Sequence, residues 1–399
     1  MSLFRDRTFR ATGLAHLSVD VLNSQLAILL AFLSGPLQLS NLLIGVVSTL
    51  YSLGGSLSQP VFGWLSDRGV AKPYAVGGVL WIAGSFAIAL LIPGRLALLF
   101  LIVGAFGSAA FHPTGAAEAT RRGQSHLSQM ETTAASLFFF FGQGGLFLGP
   151  LIGGPLLDRW GKDGLLLLFI IVLPTAIYLQ RVWQPEKKAQ SFGHELGTDR
   201  RLAWLVSPGI GALILLIFLR AWTAASVNSF LPKHLSDLGF RPGVFGPITA
   251  LFMGGGAIGG VIGGWLADRY GNRIVVFWSM SLAIIPLVGL AFAQEPIVFS
   301  LVTFSAGALV GAPHSIIIVL AQRMSPGKIG AASGLVLGFT FASGAIGNLG
   351  SGIIADWFDL PRMFQFLACL SGVAAVMALT LKRKTKPDVE LVHSPSQYD

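Results

Sequence analysis

The chain has 399 residues, of which 53% are apolar and only 11% charged, with a net charge of +9 and a mean hydropathy of +0.71. That balance excludes an ordinary soluble domain and is typical of a polytopic membrane protein. No basic block interleaved with aromatics accompanies the positive excess, so no nucleic acid partner is expected, and a single cysteine, Cys369, excludes an internal disulfide.

The first ten residues are basic, and the apolar run behind them continues to about residue 33, interrupted by His16, Asp20, Asn23 and Gln25. It is too long for a signal-peptide core and is expected to be an uncleaved first span. A spanning helix needs about 20 mostly apolar residues. Division at charges and at Gly/Pro breaks predicts twelve: 11–33, 42–65, 74–93, 96–119, 131–154, 164–183, 208–231, 247–267, 274–293, 297–321, 331–354 and 363–381. Long apolar segments without period-2 alternation satisfy their backbone internally, so all are expected to be helices.

Span 2 ends in Gly63-Trp64-Leu65-Ser66-Asp67-Arg68, and span 8 ends in Gly264-Trp265-Leu266-Ala267-Asp268-Arg269, with Arg273 shortly after. The chain is therefore doubled. An aspartate at the carboxyl end of its own helix is disfavoured by about 0.3–1 kcal/mol, so Asp67 and Asp268 are expected to answer another group. Span 4 carries His112-Pro113, mirrored by Pro313-His314 in span 10, and closes with Glu118 and Arg121, expected to be solvated boundary charges. Span 5 opens on the aromatic run Phe138 to Phe141, expected to face lipid or pack. It continues with Gly145, Gly149 and Gly153, four apart on one helical face, beside Pro150 and Gly154; span 8 repeats the spacing at Gly255, Gly259 and Gly263. Such smooth faces allow close helix approach, and Pro150 permits a bend. The polar stretch 184–207 divides a bundle at 1–183 from one at 208–381, and 382–399 is a short tail.

Twelve spans put both termini on one side, and 20 of the 27 Lys and Arg residues then fall on that side, with six opposite and Arg220 inside a span. By the positive-inside rule both ends are cytoplasmic. The chain is thus expected to be an integral plasma membrane protein, in the inner membrane if bacterial, and the positive charge belongs to topology and the lipid surface.

Two six-span halves joined by a central loop, with the Gly-x-x-x-Asp-Arg hairpin after spans 2 and 8, resemble the major facilitator superfamily. The Gly145-x-x-x-Gly149-Pro150-x-x-Gly153-Gly154 pattern resembles a motif of its antiporters. His16-x-x-x-Asp20 together with Phe111-His112-Pro113 resembles its fosmidomycin-resistance branch of drug exporters. The resemblance implies an all-α membrane protein with twelve transmembrane helices in two pseudo-symmetric six-helix bundles. It also implies that Asp67, Arg68, Asp268, Arg269 and Arg273 latch the cytoplasmic side across the halves. For the span 5 glycines it implies a close contact between halves, with static packing as the open alternative.

An ionisable residue near a helix centre costs about 2.5–3.5 kcal/mol and normally faces a partner or cavity. Asp20 and Arg220 are clear cases, with His16, His112 and His314 beside them, on spans 1, 4, 7 and 10, which in the resembled fold line the central cavity. His16 and Asp20 share a helix face. Asp20 with His16 is expected to carry the coupling proton, and Arg220, His112, His314 and Asn23 to line the substrate cavity; hydrogen-bonded structural roles stay open for the histidines. A contact between Asp20 and Arg220 across the pseudo-twofold is a further expectation.

No phosphate-binding loop, His/Cys metal spacing or nucleophile elbow appears, so no cofactor, metal or enzymatic activity is expected. The leading expectation is a secondary transporter that exports a small organic compound in exchange for protons, working as a monomer in the bilayer. A proton-coupled importer of a small organic anion suits the same residues. A non-transporting membrane sensor comes third, since neither the central loop nor the tail is long enough to form a domain.

Overall fold

A computed structural model describes residues 3–66, 71–126, 131–183, 208–324 and 329–381. Every regular element among them is helical. The long helices are α1 (Arg7–Ser34), α2 (Asn41–Leu65), α3 (Ala71–Leu91), α4 (Leu96–His126), α5 (Glu131–Trp160), α6 (Phe169–Val182), α7 (Pro208–Asp237), α8 (Pro242–Tyr270), α9 (Asn272–Phe292), α10 (Pro296–Ile317), α11 (Ile329–Trp357) and α12 (Leu360–Ala378). Ten described stretches are long and apolar enough to cross a bilayer. One of these, Ser136–Val182, runs from within α5 through α6, and α11, 29 residues long, completes the twelve helices. Apolar side chains such as Phe140, Ile170, Val261 and Ile285 stand exposed on the outside, as a lipid solvent requires.

Local chemistry sets the ends and breaks. Asp6 caps α1, its Oδ1 accepting the Phe9 N–H at 2.8 Å. The helix then breaks at Ser24, where Ser24 Oγ and Gln25 Nε2 both donate to the Val21 carbonyl, at 3.0 and 2.8 Å. Pro113 lies inside α4, whereas Pro313 marks a break in α10 after Gly311. Span 6 departs from expectation. Its first part, Gly161–Leu168, is a 3-10 helix rather than α. Gly161 turns the chain at φ 62, and Gly164 packs so closely on α5 that a Cβ there would lie 2.5 Å from the Leu156 carbonyl oxygen. A 3-10 helix rises about 2.0 Å per residue against about 1.5 Å in an α-helix, so the shorter α6 still reaches across.

The halves meet through α5 against α8, α2 against α11, and the second part of α1 against α7. Glycines make the first two contacts. A Cβ on Gly246 would lie 2.6 Å from Gly154 Cα, and a Cβ on Gly45 would lie 2.6 Å from the Asn348 carbonyl oxygen. The two contacts are copies of one another, because Gly45 and Gly246 are related by the sequence repeat, as are Gly154 and Gly352, whose own Cβ would lie 2.6 Å from the Asn41 carbonyl oxygen.

The expected role of the glycine stripes needs correcting. Gly145, Gly149 and Gly153 face α1 of their own half, against Leu17, Ser24 and Gln25, while Gly255, Gly259 and Gly263 face Phe304, Ala308 and Ala312 of α10. They let helices within each half approach, and of the span 5 motif it is Gly154, with the carbonyl of Pro150 beside it, that crosses to the other half.

Candidate functional site

Asp20 and Arg220 are 6% and 8% exposed, so neither faces lipid. Asp20 lies where α1, α4 and α5 converge. His16, one turn earlier, brings Nε2 to 3.2 Å from Asp20 Oδ2, and His112 of α4 brings its Nε2 to 3.4 Å from Oδ1. Asn23 donates to Asp20 Oδ1 at 2.7 Å and to Ser108 Oγ at 3.0 Å. Tyr51 of α2 donates in turn to Asn23 Oδ1 at 2.5 Å. The structure thus brings His16, Asp20, Asn23 and His112 together.

The histidine tautomers follow from their other nitrogens. His16 Nδ1 lies 2.7 Å from the Phe138 carbonyl oxygen, and His112 Nδ1 lies 2.8 Å from the Ser108 carbonyl oxygen and 3.2 Å from Ser108 Oγ. A carbonyl only accepts, so each Nδ1 carries the hydrogen and each neutral ring turns an Nε2 lone pair toward the carboxylate. Lone pair would then face lone pair at both contacts. A proton on Nε2 converts each contact to a charge-assisted hydrogen bond.

The packing around the cluster holds it in place. The His16 ring stacks on Phe138 at 4.0 Å between centroids and meets His112 edge-on at 4.8 Å. Phe138, expected to face lipid or pack generically, is therefore a wall of the site, whereas Phe139 and Phe140 are exposed. Gly142 completes the pocket: a Cβ there would lie 2.7 Å from Asp20 Oδ2. Tyr51 and Gly142 escaped sequence reasoning. Gly142 lies three residues before Gly145 on the same helix face, a spacing that was available in the sequence.

Arg220 is placed differently from expectation. Its Nε donates to the Val310 carbonyl of α10 at 2.8 Å, and no carboxylate pairs with it among the described residues. The expected contact with Asp20 is not made, because Asp20 is already engaged by the two histidines of its own half. His314 is half-buried at the start of the second part of α10. His112 belongs with Asp20 in this arrangement, not beside Arg220 and His314.

The two Asp-Arg hairpins are only partly described. Asp67 and Arg68 lie outside the described residues. Asp268 and Arg269 stand exposed at the last turn of α8, with the Arg269 guanidinium over the Tyr270 ring, and Arg273 is half-buried at the start of α9. Glu118 is not a solvated boundary charge. It is buried and pairs with Arg121 at 2.8 Å and with Arg122 at 2.7 Å, while Arg122 also reaches Asp6 at 3.6 Å. That network ties the carboxyl-terminal part of α4 to the residue that caps α1.

Long apolar helices in two repeated halves, each enclosing ionisable side chains, define a polytopic membrane transporter. The sequence profile of the Major Facilitator Superfamily matches residues 11–208 and 213–396, and the chain belongs to that superfamily. It is 26% identical over 380 residues to the fosmidomycin resistance protein of Escherichia coli (strain K12), covering 90% of this chain and 89% of the relative. It is 28% identical over 400 residues to an uncharacterized MFS-type transporter, YfnC, of Bacillus subtilis (strain 168), covering 94% and 92%. Among solved structures, the nucleoside transporter NupG superposes with a TM-score of 0.75 at 16% identity, covering 95% of this chain and all of that one, a likeness of fold.

Proposed function

We propose that the chain is a secondary active transporter that exports a small organic compound in exchange for protons, its two halves (1–183 and 208–381) alternating access to a site near the membrane midplane. The observation that carries this reading is the buried Asp20 carboxylate facing two histidine nitrogens whose tautomers leave room for a proton at each contact. Asp20 and His16 take up and release the coupling proton, with His112 as a second acceptor and Asn23 holding the carboxylate. The relative named for fosmidomycin resistance supports export as the direction. Asp67, Arg68, Asp268, Arg269 and Arg273 act as the cytoplasmic latch, and the protein works as a monomer with both termini in the cytoplasm, in the inner membrane of a bacterial cell.

Arg220 favours a second reading of the cargo. A buried guanidinium with no carboxylate partner among the described residues suits an anionic group on the substrate, and a small organic anion carried in either direction satisfies it, with His314 as a further cavity residue. Protein in vesicles with an imposed pH gradient, given a panel of phosphonates and other small anions, tests both readings. Export by exchange is expected to move substrate against the proton flow and to be lost in Asp20→Asn; pH-driven transport surviving in that variant would remove the proton role. Movement of substrate with the protons would replace exchange by import.

A further inference from the structure

The donor atoms of His16, Asp20 and His112 all lie within 4.8 Å of one another. With both Nδ1 atoms committed to backbone carbonyls, two Nε2 lone pairs are turned toward the two oxygens of one carboxylate inside the bundle. We propose that these three side chains form a binding site for a single divalent transition metal of Zn2+ or Co2+ type. The proposal deepens the reading of the cluster as a cation acceptor.

Three features of the arrangement argue for a metal. The two histidine nitrogens flank one carboxylate, His16 Nε2 at 3.2 Å from Oδ2 and His112 Nε2 at 3.4 Å from Oδ1, so a small turn of the carboxyl group and the two rings toward one centre brings all three donors within the bond lengths of about 2.0–2.2 Å that such a metal takes. Metal-bound histidines almost always donate the other ring N–H to a carbonyl or carboxylate, and ligating carboxylates are themselves hydrogen-bonded; here Phe138 O, Ser108 O and Asn23 Nδ2 occupy those second positions. The donor set is two imidazoles and one carboxylate, which suits borderline metals rather than the all-oxygen preference of Ca2+ and Mg2+ or the sulfur preference of Cu+. The His112 side chain is 21% exposed against 3% for His16, so the fourth position opens on the His112 side, where water or a substrate group can complete the shell. Spacing along the chain gave no metal signal because it sees His16 and Asp20 only; the third donor arrives from α4 by packing.

The test uses full-length protein without a polyhistidine tag, stripped with chelator in detergent and titrated with Co2+. Visible d–d absorption reports geometry and equilibrium dialysis reports stoichiometry. One Co2+ per chain is expected, with the intense bands of a four-coordinate site, displaced one for one by Zn2+. Binding should disappear in Asp20→Asn and in His112→Ala, each checked for a single symmetric elution peak, and should persist in Cys369→Ser, which removes the exposed thiol. Asn23→Ala, a positioning change, should weaken binding about 10–100-fold. The proposal is overturned by an absence of saturable binding in the wild type, or by unchanged affinity in a well-folded Asp20→Asn or His112→Ala protein. No substrate or pH gradient enters the measurement, so its failure leaves proton exchange standing, whereas pH-driven transport in Asp20→Asn would remove proton exchange and leave the metal site.

Discussion

The Asp356 carboxylate at the end of α11 accepts the backbone N–H of Asn41 at the first turn of α2, at 2.8 Å, and that of Leu42 at 2.9 Å. An acid at the carboxyl end of its own helix is disfavoured there and favoured at the amino end of another, so this one is held by the helix it caps. The repeat places Asp158 at the related position, and a Cβ on Gly243, in the first turn of α8, would lie 2.7 Å from its Oδ2. The Asp356 carboxylate thus joins one half of the chain to the other, and Asp158 lies against the first turn of α8 in the related place, at the end of that helix opposite Asp268.

Asp356→Ala is therefore expected to loosen this end. Losing such a cap costs about 0.5–2 kcal/mol, and the low end applies here because Asp356 is exposed. In a Cys369→Ser background, Asn41→Cys should react faster with a membrane-impermeant thiol reagent once Asp356 is also alanine. Equal labelling rates with and without the carboxylate would show that it does not hold the halves together.

Gly246 and Gly77 should respond differently to the same substitution. A Cβ on Gly246 meets Gly154 Cα and the Pro150 carbonyl at 2.6 Å, both backbone atoms that cannot swing aside, whereas a Cβ on Gly77 meets nothing within 4 Å. Gly246→Ala is expected to lower the thermal midpoint in detergent. Gly77→Ala is expected to leave it unchanged or raise it, since alanine is favoured over glycine in a helix by about 1 kcal/mol.

The sequence revealed the doubling, the helices and the His16–Asp20 pair because each is a relation along the chain: a repeat, a run, a four-residue spacing. It could not say which neighbour a glycine face meets. Period places Gly145, Gly149 and Gly153 on one side of a helix, but only packing shows α1 there and sends Gly154 to α8. The pairing of His112 with Asp20, and Tyr51 altogether, were hidden for the same reason, as both side chains reach the carboxylate's cluster from other helices. Glu118 looked like a boundary charge until its pairing with Arg121 and Arg122 was visible, and Asp356 offered only an exposed acid near a helix end.

Gly142 tests whether the site needs its empty space. With a Cβ 2.7 Å from Asp20 Oδ2, Gly142→Ala places a methyl group against the carboxylate. It should abolish pH-driven transport while membrane insertion and expression stay near wild type. Transport at the wild-type rate would mean that the His16–Asp20 geometry tolerates displacement and is not the coupling site.

The link from α2 into the site gives the last expectation. Tyr51 donates to Asn23, and Asn23 donates to Asp20, so a change at Tyr51 reaches the carboxylate through one intermediate amide. Tyr51→Phe removes a single hydrogen bond, typically worth about 0.5–1.5 kcal/mol, and leaves one amide oxygen without its donor. Asn23→Ala removes the amide itself and strands both the Tyr51 hydroxyl and Asp20 Oδ1, so the loss should be larger. The expected order of pH-driven transport rates is wild type, then Tyr51→Phe by about a factor of ten or less, then Asn23→Ala. Rates for Tyr51→Phe and Asn23→Ala that match each other and the wild type would show that neither side chain positions the carboxylate. Because Tyr51 touches neither histidine through any described hydrogen bond, a fall in its phenylalanine variant also separates orientation of Asp20 from direct proton acceptance.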